Sequence, residues 1–544
     1  MANLIKTAVL AAGFCTAVGA MAVERPKLVV GIVVDQMRWD YLYRYGDRFG
    51  EGGFNRLMNE GFSCSNTMLN YIPTYTAVGH ASIYTGSVPS VHGIAANDFC
   101  IDGNRVYCTY DAGENTVGGK NDAGKMSPRN LLATTIGDEL KLATNFCGKV
   151  VGVSLKDRAS ILPAGHGADG AYWFDDASGK FITSTYYMDK LPKWVEDFNK
   201  KDMARDLLKE GWTAMYPMDT YVESTADMSA YEKSWSGGAA PVLPLNTDSL
   251  FRKKGYGIIR TTPQGAELTL EMAEAAIEGE KLGQDNITDL LAVSISTTDY
   301  IGHQFGTYAV ETEDAYLRLD KSLADFFTML DSKVGKGNYT VFLTADHAAS
   351  HNFKFMQDNG MPADGWVTGK LSGALQKHLA DRFGQDKLVK YVMNYQVFFD
   401  KNKIAEAGLD FETVRTEAVK FLRGYKEFAY VVDMENICGS SVPSIIKERI
   451  INGYNRLRSG DIQLILQPGW YEVGSASDNK GTTHGVWNPC DTHIPLLFMG
   501  WGVGHGKTNA RVNITDIAPT VCALLNIQMP DGCIGTAILP VMGE

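Results

Sequence analysis

The chain has 544 residues, of which 45% are hydrophobic and 21% are charged, which is ordinary for a soluble globular protein. This length suits one large α/β domain with insertions, or two to three domains. The net charge of −12 at pH 7 argues against nucleic acid as a partner, because binding to phosphate backbones depends on basic surface.

Residues 1–22 have the pattern of a cleavable signal peptide. Lys6 supplies the positive charge, Thr7–Val18 form an apolar stretch, and Ala20-Met21-Ala22 is a small-x-small cleavage site. The apolar stretch is too short to span a membrane comfortably, and no later segment offers the roughly 18 continuous apolar residues of a transmembrane helix. We therefore expect no membrane span and a mature chain, beginning near Val23, that is periplasmic or secreted. A buried first helix is the alternative.

The cysteine count agrees with export. Cleavage removes Cys15 and leaves eight cysteines, an even number that favours disulfides in an oxidising compartment. Cys100 with Cys108, and Cys522 with Cys533, are close in sequence and would form local disulfide loops. Free buried thiols are the alternative. The four cysteines whose pairing the sequence leaves open are Cys64, Cys147, Cys438 and Cys490.

Short, nearly continuous apolar runs predict the strands of a parallel sheet that is covered on both faces by helices. The predicted strands are Leu28–Val34, Lys149–Ser154, Leu290–Ile295, Thr340–Thr344 and Pro495–Phe498. Helical patterns lie between them, and the clearest are Leu131–Ala143, Gln264–Glu278 and Ala315–Leu330. The alternation predicts an α/β fold.

Two stretches interrupt this alternation. Residues 176–255 are rich in Trp, Tyr, Asp and Ser and contain few clear strands, which predicts a cap insertion. Residues 352–478 contain helices and strands of their own and form a second insertion. The catalytic core is then made of three parts, residues 23–175, 256–351 and 479–544.

Six residues of metal-binding type lie directly after predicted strands or in a glycine-flanked loop. They are Asp35, Asp299, His303, Asp346, His347 and His484. Three carboxylates and three imidazoles without a cysteine suit two Zn²⁺ ions in a catalytic site. Ligands of parallel sheets gather at the carboxyl ends of the strands, and Asp299 and His303 stand at i and i+4, so one helical turn would aim both at one ion. Each residue alone has a structural explanation, but together they predict a metallo-hydrolase.

A nucleophile candidate lies in the segment Tyr71–His80. A turn containing Pro73 precedes a helix-like stretch, Thr76–Tyr84. This would put the Thr76 hydroxyl at a helix N-terminus, where the helix dipole and free N–H groups favour an anion. Coordination to a metal would lower the pKa of the hydroxyl. A threonine that only caps the helix is the alternative, and Thr74 is a rival on the same turn.

A series of motifs runs in order along the chain. It consists of Asp35 after a strand, Pro73-Thr-x-Thr-Ala-x-Gly-His80, Tyr84-Thr-Gly-Ser-Val-Pro89, His92-Gly-Ile94, Asn97, Ser154-Leu-Lys-Asp-Arg158, Ile161-Leu-Pro-Ala-Gly-His166, Asp299-x-x-Gly-His303, Ala345-Asp-His347 and Gly481-Thr-Thr-His484. The series resembles the alkaline phosphatase superfamily, specifically its threonine-nucleophile branch, the phosphate-irrepressible (PafA-type) alkaline phosphatases of bacteria. The resemblance covers nearly the whole mature chain.

The resemblance implies a three-layer α/β/α sandwich with a mostly parallel central sheet and cap insertions. It also implies a two-zinc alkaline phosphatase that hydrolyses phosphate monoesters to inorganic phosphate through a phosphothreonine at Thr76. One zinc would be held by Asp299, His303 and His484, and the other by Asp35, Asp346 and His347, with Thr76 as its reactive ligand. Asn97 would donate a hydrogen bond to a phosphoryl oxygen, and Lys156 and Arg158 would contact the phosphoryl group directly or through water.

Related activities depend on partly different residues. Sulfatases need a Cys/Ser-x-Pro-x-Arg motif, which Cys64-Ser-Asn-Thr-Met68 does not match, and the Asp-Ser-Ala nucleophile of serine-type alkaline phosphatases is absent. Nucleotide pyrophosphatase/phosphodiesterases share the threonine, the asparagine and the six ligands, so a diesterase is the alternative function. A non-catalytic zinc-bearing binding protein is another alternative. The oligomeric state stays open, with a monomer favoured.

The pair Lys156 and Arg158 favours monoesters, because a monoester dianion has one more charged oxygen than a diester. At strand-like spacing both side chains would face the same side. Asp157 is the counterargument, since it would neutralise them if the three formed a surface ion pair.

Overall fold

The structure, a computed structural model, describes residues 24–235, 241–475 and 477–543. The predicted signal peptide, residues 1–22, lies outside the described residues. Within the described ranges, none of the helices combines the length and the apolar character that crossing a bilayer requires.

A ten-stranded sheet forms the centre of the molecule. Its order is Gly506–Thr508, Phe62–Cys64, Leu496–Gly500, Tyr339–Thr344, Leu28–Val34, Asp289–Ile295, Val150–Ser154, Gly170–Asp175, Lys180–Ser184 and Thr116–Val117. The five strands from Tyr339–Thr344 to Gly170–Asp175 in this order run parallel. The central strands Leu28–Val34 and Asp289–Ile295 are buried at every residue, which explains their continuous apolar sequences.

One predicted strand runs in the unexpected direction. Leu496–Gly500, predicted as Pro495–Phe498 in a parallel sheet, pairs antiparallel with Tyr339–Thr344. A strand that is buried on both faces has the same apolar pattern in either direction, because direction depends on how the chain returns to the sheet. The expectation that this strand runs parallel to its neighbours is therefore wrong. The central sheet as a whole is mostly parallel.

Helices cover both faces of the sheet. The longer helices of the core are Thr76–Thr85, Ile136–Ala143, Asp157–Ala164, Gln264–Glu280, Thr297–Phe305, Val310–Leu330 and Ile517–Leu525. The helix predicted from Leu131 begins only at Ile136, because Thr135 and Asp138 form a capping box there. The result is an α/β/α sandwich, as predicted.

The cap and the second insertion differ in their relation to the core. Lys180–Ser184 pairs with the core strand Gly170–Asp175, so the central sheet continues past the predicted boundary at residue 175. The rest of the cap is mainly helical, with Lys193–Lys200, Met203–Lys209 and Thr247–Lys254. The second insertion has a hydrophobic core of its own around a four-stranded sheet. Its strands, in order, are Val389–Met393, Gln396–Phe399, Ile462–Leu466 and Phe428–Asp433, and its longer helices are Thr368–Phe383, Phe411–Leu422 and Ser444–Gly453.

The predicted disulfides do not form in this structure. All eight cysteines of the described ranges are free thiols. In the hairpin that carries Cys100 and Cys108, Cys100 lies opposite Arg105, and the amide of Cys108 donates to the carbonyl of Asn97. The register therefore separates the two thiols along the ladder, although they are close in sequence.

Candidate active site

The predicted ligands converge because neighbouring parallel strands end at the same edge of the sheet. Asp35 follows the strand Leu28–Val34, and Asp346 and His347 follow the adjacent strand Tyr339–Thr344. On the other side of Leu28–Val34, the strand Asp289–Ile295 leads into the helix that carries Asp299 and His303. His484 joins them from a loop far along the chain. This is the carboxyl edge at which ligands of open parallel sheets bind.

All three histidines of the set are oriented by the backbone. Nδ1 of His303 lies 2.8 Å from the carbonyl of Thr482, and Nδ1 of His484 lies 2.6 Å from that of Thr74. Nδ1 of His347 lies 2.9 Å from the carbonyl of Ala348. Because a carbonyl can only accept, each Nδ1 carries the proton and donates it. Each Nε2 therefore keeps its lone pair for the site, which is the arrangement of metal-binding imidazoles.

The first predicted ligand set is assembled. Ligand atoms of Asp299, His303 and His484 all lie within 4.8 Å of one another. Oδ1 of Asp299 is 3.1 Å from Nε2 of His303 and 3.6 Å from Nε2 of His484. Asp299 and His303 point to the same side because they are one turn apart in the helix Thr297–Phe305.

The second ligand set surrounds His347. Its Nε2 lies 3.5 Å from Oδ1 of Asp35, from Oδ2 of Asp346 and from Oγ1 of Thr76. Ligands of a tetrahedral zinc at the usual bond lengths stand about 3.3 Å apart. These atoms of Asp35 and Asp346 are buried and accept no hydrogen bond from any described residue. Unpaired buried carboxylate oxygens are costly, so this donor set fits a cation. The imidazoles of His347 and His484 stack with centroids 3.5 Å apart, which makes the two sets neighbours.

Thr76 is the first residue of its helix and does not cap it. The cap is Tyr75, and no side chain caps this helix by hydrogen bonding. Gly79 lets the helix approach Asp346 closely, since a Cβ there would lie 2.2 Å from the carbonyl oxygen of Asp346. The rival hydroxyl of Thr74 is engaged elsewhere, because it donates to Asp491 and accepts from the amide of Gly485. Of the two threonines, only Thr76 presents a hydroxyl to the metal-type ligands.

Asn97 is held beside Thr76. Its Oδ1 accepts a hydrogen bond of 3.0 Å from the amide of Ala77, the residue after Thr76. This bond fixes the side-chain amide and leaves its NH₂ group to donate to a ligand. Asn97 therefore lies beside Thr76, and its role as a donor to a phosphoryl oxygen stays a prediction.

Lys156 reaches the metal-type ligands, but the segment that carries Lys156 and Arg158 does not have strand-like spacing. The strand ends at Ser154, and a helix begins at Asp157 with Lys156 as its cap, so the expectation of strand-like alternation is wrong. Nζ of Lys156 donates to Oδ2 of Asp35 at 2.7 Å and to Oδ2 of Asp299 at 2.6 Å. Lys156 therefore bridges one carboxylate from each ligand set.

Arg158 is held by a tyrosine. Its Nη1 donates to the hydroxyl of Tyr107 at 3.0 Å, while its buried Nε has no partner among the described residues. Asp157 makes no direct ion pair with it, and its carboxylate accepts from the hydroxyls of Tyr107 and Thr109. The guanidinium of Arg158 thus keeps donors for an anion.

Burial sets the protonation states of the ligands. It lowers the pKa of His347 and, with the neighbouring His347 imidazole, lowers the pKa of His484 well below its usual value. Both imidazoles are therefore neutral, which is the form that binds metals. Burial, with the carboxylates of Asp299 and Asp346, raises the pKa of Asp35 well above its usual value. Concentrated negative charge of this kind favours a bound cation.

Three further residues support the site and were not singled out from the sequence. Gln36 donates from Nε2 to Asp299 at 2.7 Å and from its backbone amide to Asp346 at 3.2 Å. His80 lies 3.3 Å from Oδ2 of Asp346, one helical turn after Thr76. Asp491 accepts from the amides of Gly485 and Val486 and the hydroxyls of Thr74 and Ser350, which ties together the segments that carry Thr76, His347 and His484. In the sequence, the signals for these roles were that Gln36 directly follows the ligand Asp35 and that His80 stands four residues after Thr76. Asp491 had none.

Comparisons with known proteins agree with this geometry. A profile of the family described as type I phosphodiesterase / nucleotide pyrophosphatase matches residues 29–487. The chain belongs to this family, within the alkaline phosphatase superfamily. It is 53% identical over 95% of its length to a protein of Myroides odoratus named calcium-transporting ATPase, covering 94% of that protein. It is 52% identical over 96% of its length to alkaline phosphatase PafA of Elizabethkingia meningoseptica, covering 96% of it.

A solved structure is also similar. The crystal structure of wild-type alkaline phosphatase PafA matches with a TM-score of 0.93 at 52% identity, over 96% of this chain and all of that one. This similarity confirms the predicted fold and the predicted resemblance to PafA-type alkaline phosphatases.

Proposed function

We propose that the chain is an exported alkaline phosphatase that hydrolyses phosphate monoesters to inorganic phosphate at a two-zinc site, through a phosphothreonine at Thr76. The position of the Thr76 hydroxyl carries the proposal. It opens a buried helix and lies 3.5 Å from Nε2 of His347, beside unpartnered oxygens of Asp35 and Asp346. The similarity to a relative named alkaline phosphatase supports the choice of substrate.

Two groups of residues would hold the metals. One group is Asp299, His303 and His484, and the other is Asp35, Asp346 and His347, next to Thr76. Nitrogen and oxygen donors without thiolates suit catalytic zinc. When bound, two such ions supply positive charge to the attacking and leaving oxygens of an in-line displacement.

The residues of the chain would carry out the rest of the reaction. Thr76 Oγ attacks phosphorus and forms a P–O bond while the bond from phosphorus to the ester oxygen breaks and the alcohol leaves. Water then cleaves the phosphothreonine, releasing inorganic phosphate and restoring the hydroxyl. In this proposal the NH₂ group of Asn97 and the free donors of Arg158 would stabilise the equatorial oxygens, where charge is concentrated.

The direct test is a pair of substitutions at Thr76. Thr76→Ala should lose most activity but still bind inorganic phosphate, because the ligands and Arg158 remain. Thr76→Ser should keep substantial turnover, since the hydroxyl and its position survive. Acid quenching during turnover, followed by mass spectrometry, should find phosphate on Thr76 in the parent enzyme. Equal activity of Thr76→Ala and the parent would refute the assignment.

The family match also favours a second candidate, a phosphodiesterase. The matching profile describes phosphodiesterases and nucleotide pyrophosphatases. Comparison of kcat/KM on one aryl monoester and one aryl diester distinguishes the two, and a preference for the diester would decide for the second. Export is tested separately, by N-terminal sequencing of the protein from a periplasmic fraction, which should begin near Val23.

A further inference from the structure

Gln36 lies between the two ligand sets of the candidate active site. It directly follows Asp35 and is 4% exposed. Its side-chain Nε2 donates to Oδ1 of Asp299, in the first set, at 2.7 Å. Its backbone amide donates to Oδ1 of Asp346, in the second set, at 3.2 Å. One residue therefore contacts a carboxylate of each set.

The backbone of Gln36 has a conformation that favours glycine. Its φ of 67° lies in the left-handed region. The chain turns there, because the amide of Met37 donates to the carbonyl of Val34 at 3.1 Å, and Gln36 is the third residue of this four-residue turn. A positive φ at that position is normally taken by Gly or Asn. A glutamine that keeps a strained backbone beside a site indicates that its side chain has a role there.

Gly302 gives the side chain of Gln36 its space. It lies in the helix Thr297–Phe305, between Asp299 and His303. A Cβ at Gly302 would overlap Oε1 of Gln36, and the three heavy atoms nearest to it all belong to that side chain. The glycine of the Asp299-x-x-Gly-His303 motif is therefore explained by the amide that it admits.

We propose that Gln36 is a positioning residue that fixes the carboxylate of Asp299 for the metal of the first ligand set. Its hydrogen bond holds Oδ1 of Asp299, the atom that lies 3.1 Å from Nε2 of His303 and 3.6 Å from that of His484. Donors that orient a metal ligand change metal affinity roughly 10- to 100-fold. This inference deepens the proposed two-zinc function and rests on it.

The effect should be confined to one metal. The side chain of Gln36 bonds the first set, whereas the second set receives its backbone amide, at Asp346. Gln36→Gly keeps that amide and suits the left-handed backbone, but it removes the side-chain donor. It should therefore weaken zinc binding by the first set and leave the second set unchanged.

The test measures zinc binding directly. The metal-stripped mature protein is dialysed against buffers of fixed free zinc concentration, and bound zinc is counted by metal analysis. The parent should bind two equivalents. In Gln36→Gly the midpoint for one equivalent should move to a roughly 10- to 100-fold higher free zinc concentration, while the other equivalent binds as in the parent. Excess zinc should restore activity.

Two combined variants locate the effect. His484→Ala removes a ligand of the first set, so adding Gln36→Gly to it should not change the affinity for the remaining zinc. Gly302→Ala should weaken the first set as Gln36→Gly does, since its methyl group displaces the amide. Gly302→Ala together with Gln36→Gly should weaken it no more than Gln36→Gly alone, because no amide is left to displace.

The second set is the internal control, because damage to the fold would weaken both sets. If Gln36→Gly fails to fold, Gln36→Met replaces it with the same expectation, since it keeps the side-chain volume and lacks the donor. Unchanged zinc affinity in these variants, equal weakening of both sets, or additive losses with Gly302→Ala would overturn the inference. A parent that binds no zinc would refute the proposed function, and the inference with it.

Discussion

Arg158→Ala should reduce monoester hydrolysis far more than diester hydrolysis. Arg158 is the better test of the two cations, because Lys156 also bonds Asp35 and Asp299 and its removal would disturb the metal-type ligands. The guanidinium of Arg158 makes one hydrogen bond, to Tyr107, among the described residues. Its remaining donors can form two parallel bonds to phosphoryl oxygens.

The size of the effect follows from these two bonds. A hydrogen bond to a charged group contributes about 1.5–3 kcal/mol. Loss of two bonds is therefore about 3–6 kcal/mol, or roughly 10²- to 10⁴-fold in kcat/KM for a monoester. In a diester one of the charged oxygens carries a substituent, so one bond is lost, and the reduction should be roughly 10- to 100-fold. Tyr107→Phe removes the hydroxyl that holds Arg158. It should reduce kcat/KM less than Arg158→Ala does, and again more for the monoester than for the diester.

The assay is steady-state kinetics on aryl monoester and diester substrates with the same leaving group. Arg105→Ala is the matched control, because Arg105 lies in the same hairpin as Tyr107 but is exposed and pairs with Asp98. It should leave kcat/KM unchanged on both substrates. Equal losses of monoester and diester activity in Arg158→Ala would refute the assignment of Arg158 to the additional charged oxygen.

Three other predictions concern metals, the support of the site and acid stability. A chelator should abolish hydrolysis, and Zn²⁺ should restore it. Metal analysis should find about two equivalents of zinc in the parent enzyme and about one in His484→Ala. Full activity without metal would contradict the two-zinc proposal. Asp491→Ala should weaken zinc binding roughly 10- to 100-fold, because it removes the oxygen that accepts the bonds from Thr74 and Gly485. Excess zinc should restore activity, and unchanged zinc affinity would contradict this prediction. Burial lowers the pKa of His92 from 6.5 to about 3, so below pH 6.5 the unfolded chain binds a proton that the folded protein does not. The free energy of unfolding should therefore fall on acidification, by about 2 kcal/mol at pH 5 from this residue, and His92→Asn should remove that part in denaturant titrations; an unchanged pH slope would contradict it.

The sequence by itself determined the features that depend on local pattern. Strands buried on both faces must be apolar throughout, so Leu28–Val34 and the strand before Asp346 could be placed, with polar ligands at their ends. The helical repeat put Asp299 and His303 on one side of a turn, and Thr76 at the start of a helix. These signals were enough for the fold class and for the set of metal-type residues.

The tertiary structure decided what depends on contacts between distant segments. Sequence does not reveal that Lys156 bridges Asp35 and Asp299, or that Tyr107 holds Arg158, because each contact requires the correct packing of separate elements. The direction of Leu496–Gly500 likewise follows from how the chain returns to the sheet, and the separation of Cys100 from Cys108 follows from the register of their hairpin.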